Sequence, residues 1–241
     1  GDDVDGEYEI FGQRLSAVGE QVGADDVRIS DMGPDGDTAY EARNPAVAYN
    51  GATHEFLVVW EGDDDTGPLV NDEFEIFAQR LDAAGSPVGA DVRISDMGPD
   101  GNTDYEARDP AVAHNGRSND YLVVWEGDDG TAPLVNDEFE IFAQRLSAAG
   151  AQVGANDVRI SAMGPNGDTG YEALAPAVAY GSQGNEYFVA WHGDGGAAPL
   201  ANDEYEVYAR RFGSGTVPAA PAARCAPVMP TASLPGDPSR I

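Results

Sequence analysis

Lysine is absent from the 241-residue sequence, and all thirteen of its basic residues are arginines. They are outnumbered by 43 aspartates and glutamates, which gives a formal net charge of −30. Proteins that bind nucleic acid or anionic membranes need a basic surface, so the composition argues against both partners. Self-repulsion at this charge destabilises a compact chain unless cations neutralise it. A halophilic or merely very soluble protein is the alternative explanation.

Cysteine, histidine and long apolar runs are scarce as well. The single cysteine, Cys225, allows no intrachain disulfide, and no CxxC pair is present. Three scattered histidines and one thiol make a poor zinc or copper site. No apolar run reaches the roughly 18 residues of a membrane span, so we expect no membrane insertion. The chain begins within a repeated motif, without a signal peptide, and we interpret it as a processed or trimmed mature chain.

Four short blocks recur in the same order along the chain. The block EYEIFGQRL at position 7 returns as EFEIFAQRL at 73 and 138 and as EYEVYARRF at 204, with spacings of 66, 65 and 66 residues. We label the blocks A (PAVAY), B (FLVVW), C (EIFAQRL) and D (VRIS). Each is short, rich in β-branched or aromatic residues, and bounded by Gly, Asn, Asp or Pro, so each is predicted to be a strand. Both faces of B and C are apolar, as in a sheet packed between two others.

An all-β fold of four-stranded antiparallel blades, a β-propeller, is therefore predicted. A β-sandwich or a solenoid built from the same strands is the main rival. The chain starts with strands C and D, continues through two complete blades and ends with A, B and C, for thirteen strands. We favour four blades with incomplete terminal blades, completed by the tail or by a neighbouring subunit. The predicted propeller spans 1–212, in repeats 1–44, 45–109, 110–175 and 176–212, and a Pro/Ala-rich tail spans 213–241.

The acidic residues are concentrated on one face of the predicted propeller. In an up-and-down blade, the B–C and D–A connections emerge on the same face. Seven such stretches hold 33 of the 43 acids and only two arginines, Arg43 and Arg108. We interpret this segregation as a site. The stretches are 1–9, 31–43, 61–75, 96–109, 126–140, 162–172 and 192–206.

Two constellations of carboxylates and amides repeat on this acidic face, one in the B–C loops and one in the D–A loops. Alternating Asp or Asn with Gly, followed by a further carboxylate, lets a tight loop surround one ion with oxygens, and Ca²⁺ takes six to eight such ligands. Asx-turns at strand ends, without any metal, are the alternative interpretation. The predicted Ca²⁺ ligands are Asp35, Asp37, Glu41, Glu61, Asp63, Asp64, Asn71, Asp72, Glu73, Glu75, Asp100, Asn102, Glu106, Glu126, Asp128, Asp129, Asn136, Asp137, Glu138, Glu140, Asn166, Asp168, Glu172, Asp194 and Asp203.

Catalytic motifs are not visible. No Ser/His/Asp or Cys/His set recurs, and no phosphate-binding glycine loop occurs, so the sequence predicts that the chain is not an enzyme. One Trp per repeat ends strand B, at Trp60, Trp125 and Trp191, and we expect these rings to pack between blades rather than to stack on sugar.

The repeated sequence pattern LVVWEGD…EIFAQRLDAAGSPVG…VRIS resembles a widespread class of repeats in secreted and surface-attached bacterial or archaeal proteins predicted to form β-propellers. The resemblance covers about residues 1–212. It implies an extracellular location and often cation binding, and some propellers of this kind look like building blocks of extracellular fibres.

These observations lead to one functional hypothesis and two alternatives, of which the less favoured is a hydrolase that uses paired carboxylates. The hypothesis is a calcium-stabilised extracellular structural protein that self-assembles into a fibre or matrix, with copies of itself as partners through the C-terminal tail. The other alternative is a calcium-dependent, lectin-like propeller module whose partner is a glycan.

Overall fold

The computed structural model describes residues 6–64, 67–195 and 203–213, together with Gly215, Val217 and Ala219. The remainder of the predicted tail lies outside the described residues. The described part contains thirteen strands, the number predicted. They are β1 (Phe11–Gly12), β2 (Val27–Arg28), β3 (Ala42–Asn50), β4 (Glu55–Gly62), β5 (Glu75–Leu81), β6 (Val92–Arg93), β7 (Ala107–Asn115), β8 (Asp120–Gly127), β9 (Glu140–Ser147), β10 (Gln152–Arg159), β11 (Ala173–Gly181), β12 (Glu186–Asp194) and β13 (Tyr205–Gly213).

The strands form four antiparallel sheets in chain order. A half-blade of β1 and β2 is followed by a first blade (β3–β6), a second blade (β7–β10) and a third blade (β11–β13). The all-β, propeller-like arrangement is confirmed. The four-bladed count is not confirmed, because no closed sheet is found among the described residues. That same part of the chain holds no helix long and apolar enough to cross a membrane.

The core lies between neighbouring blades because the central strands are apolar on both faces. On the first blade, Val58, Trp60 and Phe77 face the half-blade and pack in one cluster with Ile10. The residues between them face the second blade: Leu57, Val59, Ile76 and Ala78 pack with Trp125 and Phe142. The third Trp, Trp191, is buried between the second and third blades. The predicted packing role of the tryptophans is confirmed.

A β-bulge opens the innermost strand of each blade. The register of β3 against β4 shifts between Arg43 and Ala46, and β7 and β11 shift at the matching positions. The bulged residues Asn44, Asp109 and Ala175 have positive φ angles of 50°, 47° and 48°. Bulges turn side chains away from the regular pleat. They place the first residues of three adjacent inner strands close to one another on the acidic face.

The D–A loops are held by a tyrosine that packs on a glycine. Gly33 has a φ of 65°, a conformation that residues with a Cβ rarely adopt. A Cβ at Gly33 would also overlap the ring of Tyr40. The same contact recurs between Gly98 and Tyr105. The tyrosine of each loop is therefore an anchor that fixes the path of the chain into strand A.

Candidate functional site

Most buried carboxylates on the acidic face accept hydrogen bonds from backbone N–H groups of the loops. At the start of strand C, Glu75 accepts a hydrogen bond from the Ser95 hydroxyl and one of 2.8 Å from the Met97 N–H. The Ser95 Oγ accepts in turn from the Ile76 N–H at 2.7 Å. Burial raises the pKa of Glu75 to about 8, against the opposing effect of these bonds. The same arrangement at Glu140 raises its pKa to about 7, again because of burial.

A second buried carboxylate ties the B–C loop to the D–A loop. Asp128 accepts hydrogen bonds from the Glu106 N–H at 2.8 Å and from the Asp137 N–H at 2.9 Å. Asp63 does the same with the N–H groups of Glu41 and Asp72. Burial raises the pKa of both aspartates to about 6. In the third blade, Asp194 accepts from the Asp203 N–H at 2.5 Å.

A third carboxylate closes the loops at the outer side. Glu73 accepts hydrogen bonds from the N–H groups of Val70 and Gly101, and Glu138 accepts from those of Val135 and Gly167. Gly101 and Gly167 lie in the D–A loops, 28 and 29 residues further along the chain. Seven predicted calcium ligands are thus buried acceptors within the loop framework: Asp63, Glu73, Glu75, Asp128, Glu138, Glu140 and Asp194.

The remaining predicted ligands occupy the loop surfaces and the inner end of the blades. Asp35, Asp100 and Asn166 accept from arginines of strand D, while Asp37, Asn102 and Asp168 form Asx-turns with N–H groups two residues on. The side-chain amides of Asn71 and Asn136 donate to the carboxylates of the residues that follow them, Asp72 and Asp137. The backbone φ angle is positive at Asp72, Asp137 and Asp203. Asp129 caps Thr131, and Asp64 lies near Asp91. Glu41, Glu106 and Glu172 directly precede the inner strands β3, β7 and β11. The buried Glu61 and Glu126 lie near the ends of β4 and β8.

Calcium binding stays a prediction. Within residues 6–64, 67–195 and 203–213, no group of three or more His, Cys, Asp and Glu side chains is arranged to hold a metal ion. The Asx-turns, which were the alternative interpretation of the Asp-Gly-Asp pattern, are present.

At the bulges, three carboxylates of adjacent blades lie near enough for Glu126 to experience repulsion from the other two, and we call Glu61, Asp109 and Glu126 the inner acidic cluster. Glu61 accepts a 2.7 Å hydrogen bond from the Asp109 N–H, and Glu126 accepts one of 2.6 Å from the Ala175 N–H. Burial, with added repulsion from Asp109 and Glu61, raises the pKa of Glu126 to about 7. The cluster therefore combines a carboxyl group whose pKa is raised toward neutral pH with two further carboxyl groups.

Two arginines flank this cluster in the first two blades. Arg43 stacks over the ring of Phe74 at 5.3 Å and pairs with Glu41. Arg108 stacks over Phe139 at 5.2 Å and pairs with Glu106. Each guanidinium is thereby held flat at the start of an inner strand, with its side chain nearly half exposed.

The third blade replaces this arrangement with an exposed aromatic pair, His192 and Tyr205. Leu174 stands where the other blades carry arginine, Tyr205 where they carry phenylalanine, and His192 where they carry Glu61 and Glu126. The rings of His192 and Tyr205 lie 5.8 Å apart at 57°. The Tyr205 hydroxyl donates a 3.2 Å hydrogen bond to Glu172, and 47% of the residue is exposed. The acidic face is thus asymmetric, with one blade chemically different from its neighbours.

Sequence reasoning missed Asp109, His192 and Tyr205 as site residues, and it passed over the two arginines. The available signal was the departure of the third repeat from the first two, together with the fact that Arg43 and Arg108 are the only bases in the acidic stretches. The predicted ligands were residues that recur at equivalent positions of the blades, so residues that occur in one blade only were not predicted as site residues.

No family model and no curated protein matches the sequence. Among solved structures, the chain is similar to the Hadza microbial sialidase Hz136, with a TM-score of 0.52, 12% identity and coverage of 81% of this chain and 40% of that one. For a thermostable family-43 glycoside hydrolase, the TM-score is 0.47 and the identity is 13%, with coverage of 94% of this chain and 72% of that one. For an exo-β-1,3-galactanase from Phanerochaete chrysosporium, the TM-score is 0.42 and the identity is 16%, with coverage of 76% of this chain and 37% of that one. The chain spans less than two thirds of the length of the sialidase and of the galactanase.

This comparison corrects two predictions. The chain was predicted to be a structural fibre protein and not an enzyme, and both predictions are contradicted by its similarity to a solved structure that is a sialidase. The prediction that the chain is not an enzyme relied on the repetition of acids in every blade, which was interpreted as a set of ion sites rather than one catalytic pair. In the structure, carboxylates at equivalent positions accept hydrogen bonds that hold the loops of the first and second blades.

Proposed function

We propose that the chain binds and processes a glycan on its acidic face. The observation that carries this proposal is the inner acidic cluster, where Glu126, with a pKa of about 7, lies beside Asp109 and Glu61 at the bulges of adjacent inner strands. Glycoside hydrolysis needs a carboxylic acid that is protonated near neutral pH and a second carboxylate. The fold that the chain shares with the sialidase Hz136 supports the same substrate class.

The third-blade aromatic pair supplies a surface for sugar. Exposed aromatic rings offer an apolar face to the C–H groups of a pyranose and a polar edge to its hydroxyls. Tyr205 and His192 form such a surface beside Glu172, a hydrogen-bond acceptor. Glu172 lies three residues before Ala175, whose N–H binds Glu126. The binding surface and the acid are thus joined through one short segment of chain.

In this mechanism Glu126 donates a proton to the leaving glycosidic oxygen as the glycosidic bond breaks, and Asp109 accepts a proton from the water whose oxygen bonds to the anomeric carbon. Its hydrogen bond from the Ala175 N–H fixes one carboxyl oxygen, which orients the other. Asp109 supplies the second carboxylate, and its position is fixed by a 2.7 Å hydrogen bond from the Asn44 side chain. Arg43 and Arg108 supply donors to sugar hydroxyls at the rim.

The proposal is tested by measuring glycan binding and glycoside hydrolysis with the same variants. We expect Tyr205→Ala to lose binding, and Glu126→Gln to keep binding and lose at least about a hundred-fold in turnover, the range of a general acid. The control is Glu20→Gln, an exposed carboxyl on a C–D hairpin away from the cluster. Turnover that survives in Glu126→Gln would remove the assigned acid. Absence of binding to any glycan by the unmodified chain would contradict the function itself.

We also propose that the chain acts outside the cell and that calcium binds on the acidic face. The excess of acids and the resemblance to secreted repeat proteins support both proposals. Neither is required by the glycan chemistry, which uses side chains of the chain alone.

A further inference from the structure

The first two blades repeat a contact in which an arginine lies over an aromatic ring and pairs with a glutamate. In the first blade, the Arg43 guanidinium lies 5.3 Å from the centre of the Phe74 ring and forms an ion pair with Glu41. The equivalent residues of the second blade make the same contact: Arg108, Phe139 and Glu106. Both arginine side chains are nearly half exposed, so the place that each guanidinium occupies is open to solvent. We call this place, above the ring and beside the glutamate, the cation position of a blade.

The third blade keeps the ring and the glutamate of this contact but not the arginine. Tyr205 stands at the position of the two phenylalanines, and Glu172 at that of the two glutamates. The Tyr205 hydroxyl donates a 3.2 Å hydrogen bond to Glu172, so the ring and the carboxylate lie next to each other here too. Leu174 replaces the arginine. The cation position of the third blade therefore offers an aromatic ring and a carboxylate to a cation that the equivalent residue does not supply.

Negative charge surrounds the cation position of the third blade. Burial raises the pKa of the Tyr205 hydroxyl, and nearby carboxylates, including Glu172 and Asp194, raise it further. In the first blade, burial likewise raises the pKa of Asp63, the equivalent of Asp194, but Arg43 opposes that rise. A cation at the third-blade position would act on Asp194 as Arg43 acts on Asp63. Because 33 of the 43 acids lie in the stretches of the acidic face, its field attracts cationic groups and repels anionic ones.

The replacement of the arginine is matched by a replacement on the neighbouring strand. Arg43 lies opposite Glu61 in the β3–β4 pair. Leu174, in contrast, lies opposite His192 in the β11–β12 pair. The His192 ring lies 5.8 Å from that of Tyr205. The third blade therefore differs from the first at both residues of this pair, and the change removes a fixed cation while it adds an aromatic surface beside the ring.

We propose that the cation position of the third blade binds an ammonium group of the ligand, and that the glycan is therefore one with a free amine, such as a 2-amino sugar. That the ligand is a glycan rests on the proposed function, whereas its positive charge rests on the contacts of the other two blades. An ammonium group is attracted to the face of an aromatic ring and donates strong hydrogen bonds to a carboxylate. The Tyr205 hydroxyl, which donates to Glu172, can accept a further hydrogen bond from the same group. An N-acetylated amine is neutral and gains none of this ionic attraction.

The test is calorimetric titration of the whole chain with two tetrasaccharides that differ by one acetyl group. One is a tetramer of N-acetylglucosamine, and the other is the same tetramer with one free amine, used at a pH at which this amine is protonated. We expect the free amine to bind at least about ten-fold more tightly, because a ring and a carboxylate hold the cation together. Added salt should reduce the difference, because it screens the charges.

Variants of the third blade separate the cation position from the general charge of the face. Leu174→Arg restores the residue of the other two blades, so its guanidinium should take the position and abolish the preference for the free amine. Thr103→Arg adds the same charge to an exposed loop of the second blade and should keep the preference. Glu172→Gln keeps the size of the side chain and removes its charge, so it should reduce the preference.

Methylguanidinium tests the position without a sugar, because it carries the group that the chain itself places over an aromatic ring in the first two blades. It should shift the NMR signals of the His192 ring, which lies beside Tyr205. The signals of His54 and His114 should not move, since these residues lie at the opposite ends of the inner strands. The shift at His192 should be absent in Leu174→Arg.

The two proposals fail in different ways. Equal affinity for the two tetrasaccharides would overturn the free amine and leave the proposed function standing. A shift of the His192 signals without binding of either tetrasaccharide would contradict the proposed function and support the cation position. Binding of the free amine by Leu174→Arg as tightly as by Thr103→Arg, or no response of His192 to methylguanidinium, would overturn the inference.

Discussion

Replacing Glu140 with glutamine tests whether burial keeps the acids at the start of strand C partly protonated. Glu140 is fully buried, accepts from the Ser161 hydroxyl and from the Met163 N–H at 2.8 Å, and lies 3.9 Å from Arg159. Burial raises its pKa from 4.5 to about 7. Because the pKa is higher in the folded chain, the stabilisation from protonation is complete below about pH 4.5 and is lost as the pH rises through about 7.

The magnitude follows from linkage between protonation and folding. Relative to a group that stays neutral, the wild-type carboxyl should cost about 1 kcal/mol at pH 5, about 2 at pH 6 and about 3 at pH 8. Glutamine has the shape of the protonated acid and does not titrate. The free energy of unfolding of Glu140→Gln relative to wild type should therefore increase by about 2 kcal/mol between pH 5 and pH 8.

The measurement is urea unfolding at four pH values between 5 and 8, with Glu20→Gln as the control. Glu20 is exposed on a C–D hairpin, so its replacement removes a carboxyl group without changing the buried loop framework. A constant difference between Glu140→Gln and wild type over this range would refute the reasoning, because it would mean that Glu140 titrates alike in the folded and unfolded chain.

Two further predictions concern the loop framework and calcium. Asp128→Ala leaves the N–H groups of Glu106 and Asp137 without their acceptor, at a cost of about 1–3 kcal/mol for each that stays buried, and urea unfolding should show a lower midpoint. An unchanged midpoint would show that water replaces the carboxylate at no cost. Calcium binding to the folded chain should raise the melting temperature, and EDTA should reverse the rise. A melting curve that neither calcium nor EDTA moves would remove calcium as a stabilising ligand.

The strands and their faces could be predicted because the information is local. In β4 and β5, alternate residues face opposite neighbours and nearly all are apolar, so the sequence indicates a sheet covered on both sides. Repetition of the blocks supplied the order of strands in each blade. Closure could not be predicted from the blocks, because it depends on the angle between sheets, to which no single residue corresponds.

The role of the acids could not be predicted because their partners are distant in the sequence and are backbone groups. Glu73 binds the N–H of Gly101, and Asp63 binds that of Glu41, 28 and 22 residues away. Every residue has an N–H, so no sequence pattern marks which one is the donor. The exposure of individual residues could not be predicted either. Val47 and Val112 occupy the same motif, but Val47 is exposed whereas Val112 is partly buried against the core.

The concentration of acid on one face is less unfavourable than the formal charge of −30 suggests. That value counts every carboxyl as ionised, whereas burial raises the pKa of Glu75 to about 8 and those of Glu126, Glu140 and Asp157 to about 7. Burial therefore favours the neutral forms of these acids. Those that remain charged accept hydrogen bonds from N–H groups that would otherwise be buried without an acceptor. Burial and internal hydrogen bonding therefore both reduce the repulsion that the formal charge implies, and the raised pKa of Glu126 is one result of this burial.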